Sequence, residues 1–399
     1  MSKPRSAPFS EDTSQADRRT ETLLTADEGW VASVRRELAE WYARNRRDLP
    51  WRREINPYRV LVSEMMLVQT TVAAVIPYFE RFLKQFPDPQ TLAAADEEMV
   101  LKAWEGLGYY RRARQLQAAA RKVVEEHGGE IPPDLQAIHA LPGVGRYMAG
   151  AILSFAFNRP APILEANSQR LLARLVALRD ELKRSSSKEK LWAAAEALVP
   201  LEGAGDFNQA LIDLGALICT PREPRCLICP LSSLCEARRL GLQDQLPVIA
   251  PKESLLSVVE ACALVVNEGR VLVVQRGEGG LWSRFWEFPT VNLEGADPAG
   301  RAREGRVGLA EGVERSTGIP ITLGPQARSL NYTVTRHRVT LRVYLARGPG
   351  LEPRPGPGYI AARWVTTREL GELTLNGPGR KLLAWIDQDP GRLDWPGGR

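Results

Sequence analysis

Four of the chain's five cysteines lie close together in CTPREPRCLICPLSSLC, residues 219–235. Thiols spaced C-x6-C-x2-C-x5-C can form disulfides, hold zinc or hold an iron–sulfur cluster. The N-terminal stretch MSKPRSAPFSEDTSQADRRTETLL has no apolar core, so no secretory signal is expected. In a reducing compartment close cysteines more often bind metal than pair. Structural zinc usually takes two separated C-x2-C pairs, and this run has one. Cysteine-only ligation within a short loop suits a cubane cluster, although zinc stays open on these residues alone. Cys262 falls in a predicted strand and reads as a buried apolar residue. With only three histidines, His127, His139 and His337, a histidine triad is not expected to carry the chemistry.

A second stretch with chemical potential is LPGVG at 141–145, between the helical patterns DLQAIHA and RYMAGAILSFAF. Gly143 and Gly145 permit tight backbone whose amides open a helix N-terminus, an arrangement that can hold a phosphate. An ordinary interhelical turn has the same composition.

These stretches need elements to position them. A length of 399 residues allows two or three domains. From Trp30 onward the pattern is helical, with Val31, Val34, Leu38 and Trp41 forming one apolar stripe. Similar segments run to about residue 218, so this half is predicted to be all-α. Past the cysteines, LGLQDQLPVIAPKESLLS has linker character. The period then changes: LSVVEACALVV, GRVLVVQR and TVTRHRVTLRVYLA read as strands, and GRVGLAEGVERSTG as a short helix. The predicted organisation is a polar arm (1–28), a helical domain (29–218), a cysteine loop (219–235), a linker (236–256), an α+β domain (257–386) and a tail (387–399). The net charge of +5 is weak support for a nucleic-acid partner. No apolar run approaches the ~20 residues that span a bilayer, and the protein is expected to be soluble and cytoplasmic or nuclear.

Helix, LPGVG and helix resemble the helix–hairpin–helix motif of DNA glycosylases, and the cysteine spacing after a final helix resembles the [4Fe-4S] loop of their endonuclease III and adenine glycosylase branch. Within that branch, LPWRREINPYRVLVSEMMLVQTTVAAVIPYFERF, WEGLGYYRRARQL, GDFNQALIDLGALICT and CLICPLSSLC resemble the A/G-specific adenine glycosylase (MutY) family. The resemblance runs nearly unbroken from about residue 30 to 235. It implies a [4Fe-4S] cluster on Cys219, Cys226, Cys229 and Cys235, and Glu64 as the acid that protonates adenine. Glu165 would stabilise the cationic sugar, as in the two-carboxylate logic of glycoside hydrolysis. It stands in Glu165-Ala166-Asn167 where the family has Asp-Gly-Asn, with Asn167 retained. Tyr147 occupies the position where the lyase branch carries an imine-forming lysine, which implies a monofunctional glycosylase.

The same resemblance assigns DNA contacts. Adenine must be flipped out of the duplex to be reached. Gln69 and Tyr109 would wedge beside the orphan base with Leu107 near them, Trp51 and Arg52 would line the adenine pocket, and Gly143, Val144 and Gly145 would meet the backbone. The arginines at 44, 46, 47, 111, 112 and 114 are candidate phosphate contacts. Val68 departs from the family's usual glutamine. GRVLVVQRGEGGLWSRFWEFPT resembles the family's Nudix-like C-terminal domain, which recognises 8-oxoguanine. Of a working Nudix box GLAEGVERSTG retains little beyond Glu314, so nucleotide hydrolysis is not expected. The recognition loop, Phe-Ser-His in the family, is matched here by Val334, Thr335 and Arg336. The expectation is a monomer that excises adenine opposite 8-oxoguanine or guanine in double-stranded DNA. The competing expectations are a catalytically weak mispair-binding protein, motivated by Glu165 and the altered loop, and an endonuclease III-like lyase.

Overall fold

A computed structural model describes residues 27–251, 254–293 and 302–393. The predicted arm at 1–28 lies outside the described residues except for Asp27 and Glu28, as do linker residues 252–253 and the tail from 394 onward. The chain divides into two compact units, Met1–Val100 with Arg111–Pro251, and Leu101–Tyr110 with Lys252–Arg399.

The helices are α1 (Glu28–Asn45), α2 (Pro50–Arg53), α3 (Pro57–Leu67), α4 (Val72–Gln85), α5 (Pro89–Ala94), α6 (Glu97–Trp104), α7 (Arg111–His127), α8 (Leu135–His139), α9 (Arg146–Phe157), α10 (Ala166–Leu175), α11 (Ser185–Leu198) and α12 (Ala204–Leu217). Their starts follow from capping chemistry. Asn56 and Asp88 each accept N–H groups of the following turn, and the next residue is a proline, which has no N–H to satisfy. The predicted stripe of α1 buries Val34, Leu38 and Trp41 against Leu171, Leu172 and Leu175 of α10 and Leu211 and Leu214 of α12. Gly215 lets α12 press on α10, because a Cβ there would stand 2.8 Å from both the Cβ and the carbonyl oxygen of Asn167. Between α8 and α9, Gly143 has φ +78°, and a Cβ at it would meet Gln115 at 2.7 Å and Met65 at 2.9 Å. The hairpin turn therefore needs glycine for conformation and for space.

A 3-10 turn (Cys226–Ile228) and α13 (Glu236–Arg239) complete the cysteine loop. Part of the predicted linker is built into the first unit. Leu246 is buried with Ala177 and Ala237, and the Leu182 N–H donates to the Val248 carbonyl at 2.9 Å.

The second unit holds β1 (Leu256–Asn267), β2 (Arg270–Arg276), β3 (Trp286–Glu287), β4 (Thr290–Asn292), α14 (Ala302–Thr317), β5 (Thr322–Val334), β6 (His337–Arg347), β7 (Tyr359–Val365), α15 (Thr367–Glu372) and α16 (Gly377–Asp387). The sheet runs β3-β2-β1-β6-β5, with β4 on β1 and β7 on β2; β1 and β6 are parallel. Alternation along β1 sends Ala261, Ala263 and Val265 toward Leu309 and Val313 of α14, and Cys262 and Leu264 toward Leu370, Leu382 and Leu383 of α15 and α16. A helical layer thus covers each face. The segment read as one strand, TVTRHRVTLRVYLA, is corrected to two. Val334 pairs with His337, so Thr335 and Arg336 form a tight turn between β5 and β6. Alternation alone misses it because the turn carries neither glycine nor proline.

Gly215→Ala is expected to push α10 off α12, costing about 1–3 kcal/mol as other overpacked cores do. A thermal-unfolding midpoint equal to that of wild type would contradict this packing.

Candidate active site

Residues of α1–α3, the α3–α4 turn, α9, α10 and α12 enclose a cleft of about 880 Å³ in the first unit. Glu64, on α3, is 5 % exposed and lines it with Leu67, Phe155, Leu164 and Trp51. The Tyr147 hydroxyl, in the first turn of α9, donates to Glu64 Oε2 at 2.7 Å. Burial pushes the Glu64 carboxyl up to about 7, the Tyr147 hydrogen bond and the Arg52 charge oppose this, and the Glu165 charge adds to it. Glu64 is therefore placed to carry a proton near neutral pH.

Glu165 stands at the N-cap of α10. Its carboxylate accepts the N–H groups of Asn167 and Ser168 at 2.8 Å and the Asn167 side-chain amide at 3.1 Å. Ser168 Oγ closes the capping box by accepting from the Glu165 N–H at 2.8 Å. Burial raises the Glu165 pKa and these N–H donors counteract it. Asn167 is held in turn, because Arg170 donates to Asn167 Oδ1 at 2.9 Å and to the Cys219 carbonyl at 2.7 Å. Arg170 thus bridges the carboxylate's partner and the cysteine loop. Sequence reasoning overlooked Arg170 and Ser168, whose partners come together only once α10 forms beside the loop.

It also missed Asp213, fully buried on α12. Arg52 reaches its two oxygens at 2.7 and 3.0 Å, and Arg47 donates through Nε at 2.7 Å. Burial would raise the Asp213 pKa, but the two guanidiniums win and hold the carboxyl below its usual range. A lone acid within the apolar run ALIDLGAL was the available signal. Two arginines named as DNA contacts have partners inside the protein. Arg52 lines the cleft as predicted, but its guanidinium is committed to Asp213. Arg112, read as a phosphate contact, is 7 % exposed and donates to the carbonyls of Met65 and Met66 at 2.8 and 2.9 Å and to that of Val68, clamping the end of α3. Arginine type alone cannot distinguish a backbone clamp from a phosphate ligand.

Gln69 follows directly at the cleft's edge with φ +59°. In the second unit Tyr109 has φ +50° and is 57 % exposed, whereas Leu107 is buried. Thr335, at the tip of the β5–β6 turn, has φ +51°, a strained conformation for a β-branched residue. Val334 precedes it on β5 and Arg336 follows, its carbonyl accepting the Leu256 N–H at 2.9 Å. In the hairpin Val144 is buried, and Gly145 begins α9 with no side-chain cap.

Cys219, Cys226, Cys229 and Cys235 line one small cavity with Leu171, Leu175 and Arg174. Burial raises the Cys229 thiol to about 12, the Cys235 thiol to about 11 and that of Cys226 in the same direction. Four thiolates facing one cavity would repel one another, and they need a positively charged partner to ionise together. Among the described residues no three His, Cys, Asp or Glu side chains converge as ligands of a single metal ion. The four cysteines around this cavity are the residues that would hold a metal centre. Cys262 is buried in β1, apart from this set.

A helix–hairpin–helix domain whose cleft holds two carboxylates defines a DNA glycosylase, and the comparisons agree. Residues 62–197 match the family described as HhH-GPD superfamily base excision DNA repair protein, and residues 261–385 match the NUDIX domain. The chain is 34 % identical over 426 residues to the adenine DNA glycosylase of Homo sapiens, covering 92 % of this chain and 77 % of the relative. A thymine-DNA glycosylase of Aeropyrum pernix is 36 % identical over 217 residues, covering 53 % of this chain and 97 % of the relative. A solved thermostable thymine-DNA glycosylase is 29 % identical with a TM-score of 0.46, covering 56 % of this chain and 98 % of that one. The chain belongs to the adenine DNA glycosylase (MutY) family, and it is a base-excision repair enzyme. Among the described residues no helix is long and apolar enough to cross a membrane.

The raised Glu64 pKa sets a pH dependence. A folded value of about 7 against an ordinary 4.5 means the native state holds the proton more tightly. The associated stability is full below the unfolded value and is lost as pH rises through the folded one. Glu64→Gln should therefore gain stability relative to wild type between about pH 4.5 and 8, by up to about 3 kcal/mol. Parallel curves of unfolding free energy against pH for the two proteins would refute the buried, protonated carboxyl.

Proposed function

We propose that the protein hydrolyses the N-glycosidic bond of adenine paired with 8-oxoguanine or guanine in double-stranded DNA and leaves an intact abasic site. The observation that carries this reading is the Tyr147–Glu64 hydrogen bond in a cleft shared with Glu165. Adenine leaves as a neutral base only if its ring is protonated, and Glu64, kept protonated by burial, supplies the proton. As the C1′–N9 bond breaks, the sugar becomes cationic, and the Glu165 carboxylate faces that charge. Water adds to C1′ and loses a proton, which completes the hydrolysis. Tyr147 fixes the Glu64 carboxyl through its hydroxyl and offers no amine, so no imine forms and no strand is cut. This argues against an endonuclease III-like lyase.

Gln69 and Tyr109 wedge beside the orphan base with Leu107 near them, Trp51 and Arg52 bound the adenine pocket, and the hairpin amides of Gly143, Val144 and Gly145 meet phosphate. The Val334–Thr335–Arg336 turn reads the base opposite adenine. Similarity over 92 % of the chain to an adenine DNA glycosylase supports the choice of adenine, because a thymine-DNA glycosylase matches 53 % of the chain. The cysteine loop holds a [4Fe-4S] cluster through Cys219, Cys226, Cys229 and Cys235; when bound it supplies the charge that keeps four thiolates together and ties the loop to α10. Domain boundaries near 28, 218 and 256, a monomeric state and a cytoplasmic location complete the proposal.

One observation favours the weak-enzyme alternative. Both Glu165 oxygens are engaged in capping α10, and the longer side chain replaces the family's aspartate. Single-turnover assays on duplexes with adenine opposite 8-oxoguanine, guanine or thymine decide between the readings. Glu64→Gln is expected to lose excision by at least about 10³-fold while still binding the mispair. Glu165→Asp should lose about tenfold or more, because the cap geometry is fitted to glutamate. A large gain in that variant would establish the weak enzyme, and wild-type rates in both would discard the two-carboxylate mechanism. Anaerobically purified protein should be brown, with about four irons per chain. A colourless protein with one stoichiometric zinc would refute the cluster.

A further inference from the structure

The second unit takes in residues 101–110, the end of α6 and the loop that carries Tyr109. Three residues of that loop have left-handed backbone: Gly106 (φ +103°), Gly108 (φ +72°) and Tyr109 (φ +50°). Glycine adopts it freely, but a tyrosine does so only where its surroundings dictate the conformation.

Those surroundings form a polar seam. Glu105, with a side chain only 10 % exposed, receives a two-armed hydrogen bond from Arg380 of α16, the arm to Oε2 being 2.7 Å, and accepts the Leu375 N–H at 3.2 Å. Lys102 lies 3.2 Å from the same carboxylate and donates to the carbonyls of Gly371 and Leu373 at 2.9 Å each. Arg380 shares the Leu373 carbonyl at 2.7 Å. Beyond the seam, the Tyr110 ring packs on Phe285 with centroids 4.2 Å apart, and its hydroxyl accepts the Gly106 N–H at 3.2 Å. The Trp104 indole donates to the Gly108 carbonyl at 3.2 Å. Every turn of the loop is thus tied down, and the one two-armed ionic tie comes from Arg380. A fork of this kind fixes orientation as well as distance, which a lysine would not.

We propose that Arg380 is a positioning residue for mispair recognition: through Glu105 it holds the 101–110 loop in the left-handed form that presents Tyr109. This rests on the reading of Tyr109 as the residue that fills the stack, and it adds that the last helix of the second unit sets that residue's geometry. Recognition of the lesion and occupation of the stack then depend on the integrity of one unit.

The test is a double-mutant cycle on the full-length protein, using Arg380→Met, Tyr109→Ser and the pair. The readouts are affinity for duplexes with adenine opposite 8-oxoguanine or thymine, and the fluorescence of a 2-aminopurine placed beside the orphan base. Each single change is expected to weaken mispair binding roughly tenfold and to reduce the 2-aminopurine response, and the pair to do no worse than Tyr109→Ser alone. Arg380→Lys, which keeps the charge without the fork, should fall between and carries the same cycle if the methionine variant does not fold. Additive losses overturn the inference, as does normal mispair binding by Arg380→Met beside an impaired Tyr109→Ser, an outcome that leaves the wedge reading standing. Normal binding by Tyr109→Ser overturns the wedge reading itself, and the inference with it.

Discussion

Two largely desolvated carboxyl groups in one cleft cannot both be charged cheaply, and the catalytic unit is organised around that constraint. Desolvation raises Glu64 and Glu165 alike, and the Glu165 charge raises Glu64 further. The fold answers by giving them different surroundings. Glu64 faces apolar walls and a phenol that can donate one hydrogen bond, so its protonated form survives near neutrality. Glu165 sits at a helix N-terminus among three N–H donors, where negative charge is favoured. Divergent environments for two similar acids are how one cleft can offer a proton and an anion together.

The arginines show how the rest of the unit sustains this arrangement. Arg112 clamps the end of α3 just past Glu64, and Arg170 joins Asn167 to the cysteine loop. Arg174 donates to the Thr220 and Leu246 carbonyls and reaches Cys219 Sγ at 3.3 Å. Arg35 donates to the carbonyls of Ala197, Leu198 and Val199 where α11 ends. Helix ends and loops leave carbonyl oxygens without partners, and a guanidinium satisfies several at once with fixed geometry. A share of the chain's positive charge is therefore structural. The +5 balance overstates what is available to a polyanion.

Three positions assigned to DNA carry left-handed backbone, as do six other non-glycine residues among the described ones. Gln69, Tyr109 and Thr335 are non-glycine residues with left-handed backbone, each in a tight turn beside a regular element. Side chains at such positions project from the turn rather than into the core. The folded context pays for that by clamping the neighbouring backbone: Arg112 beside Gln69, the Glu105–Arg380 tie beside Tyr109, and ladder pairing on both sides of Thr335.

The helical half, the hairpin and the grouping of the four cysteines were legible in the sequence, because periodicity, glycine placement and thiol spacing are local patterns. Resemblance supplied the roles. The β5–β6 turn was not legible, since Thr335 and Arg336 carry no turn signature and their conformation is imposed by pairing across the ladder. Nor were Asp213, Arg112 and Arg170, whose partners lie tens of residues away along the chain. Sequence thus determined which groups could do the chemistry. Tertiary structure decided which charges were buried, which arginines were spent on backbone, and which acid keeps its proton, because desolvation and pairing depend on neighbours that only folding brings together.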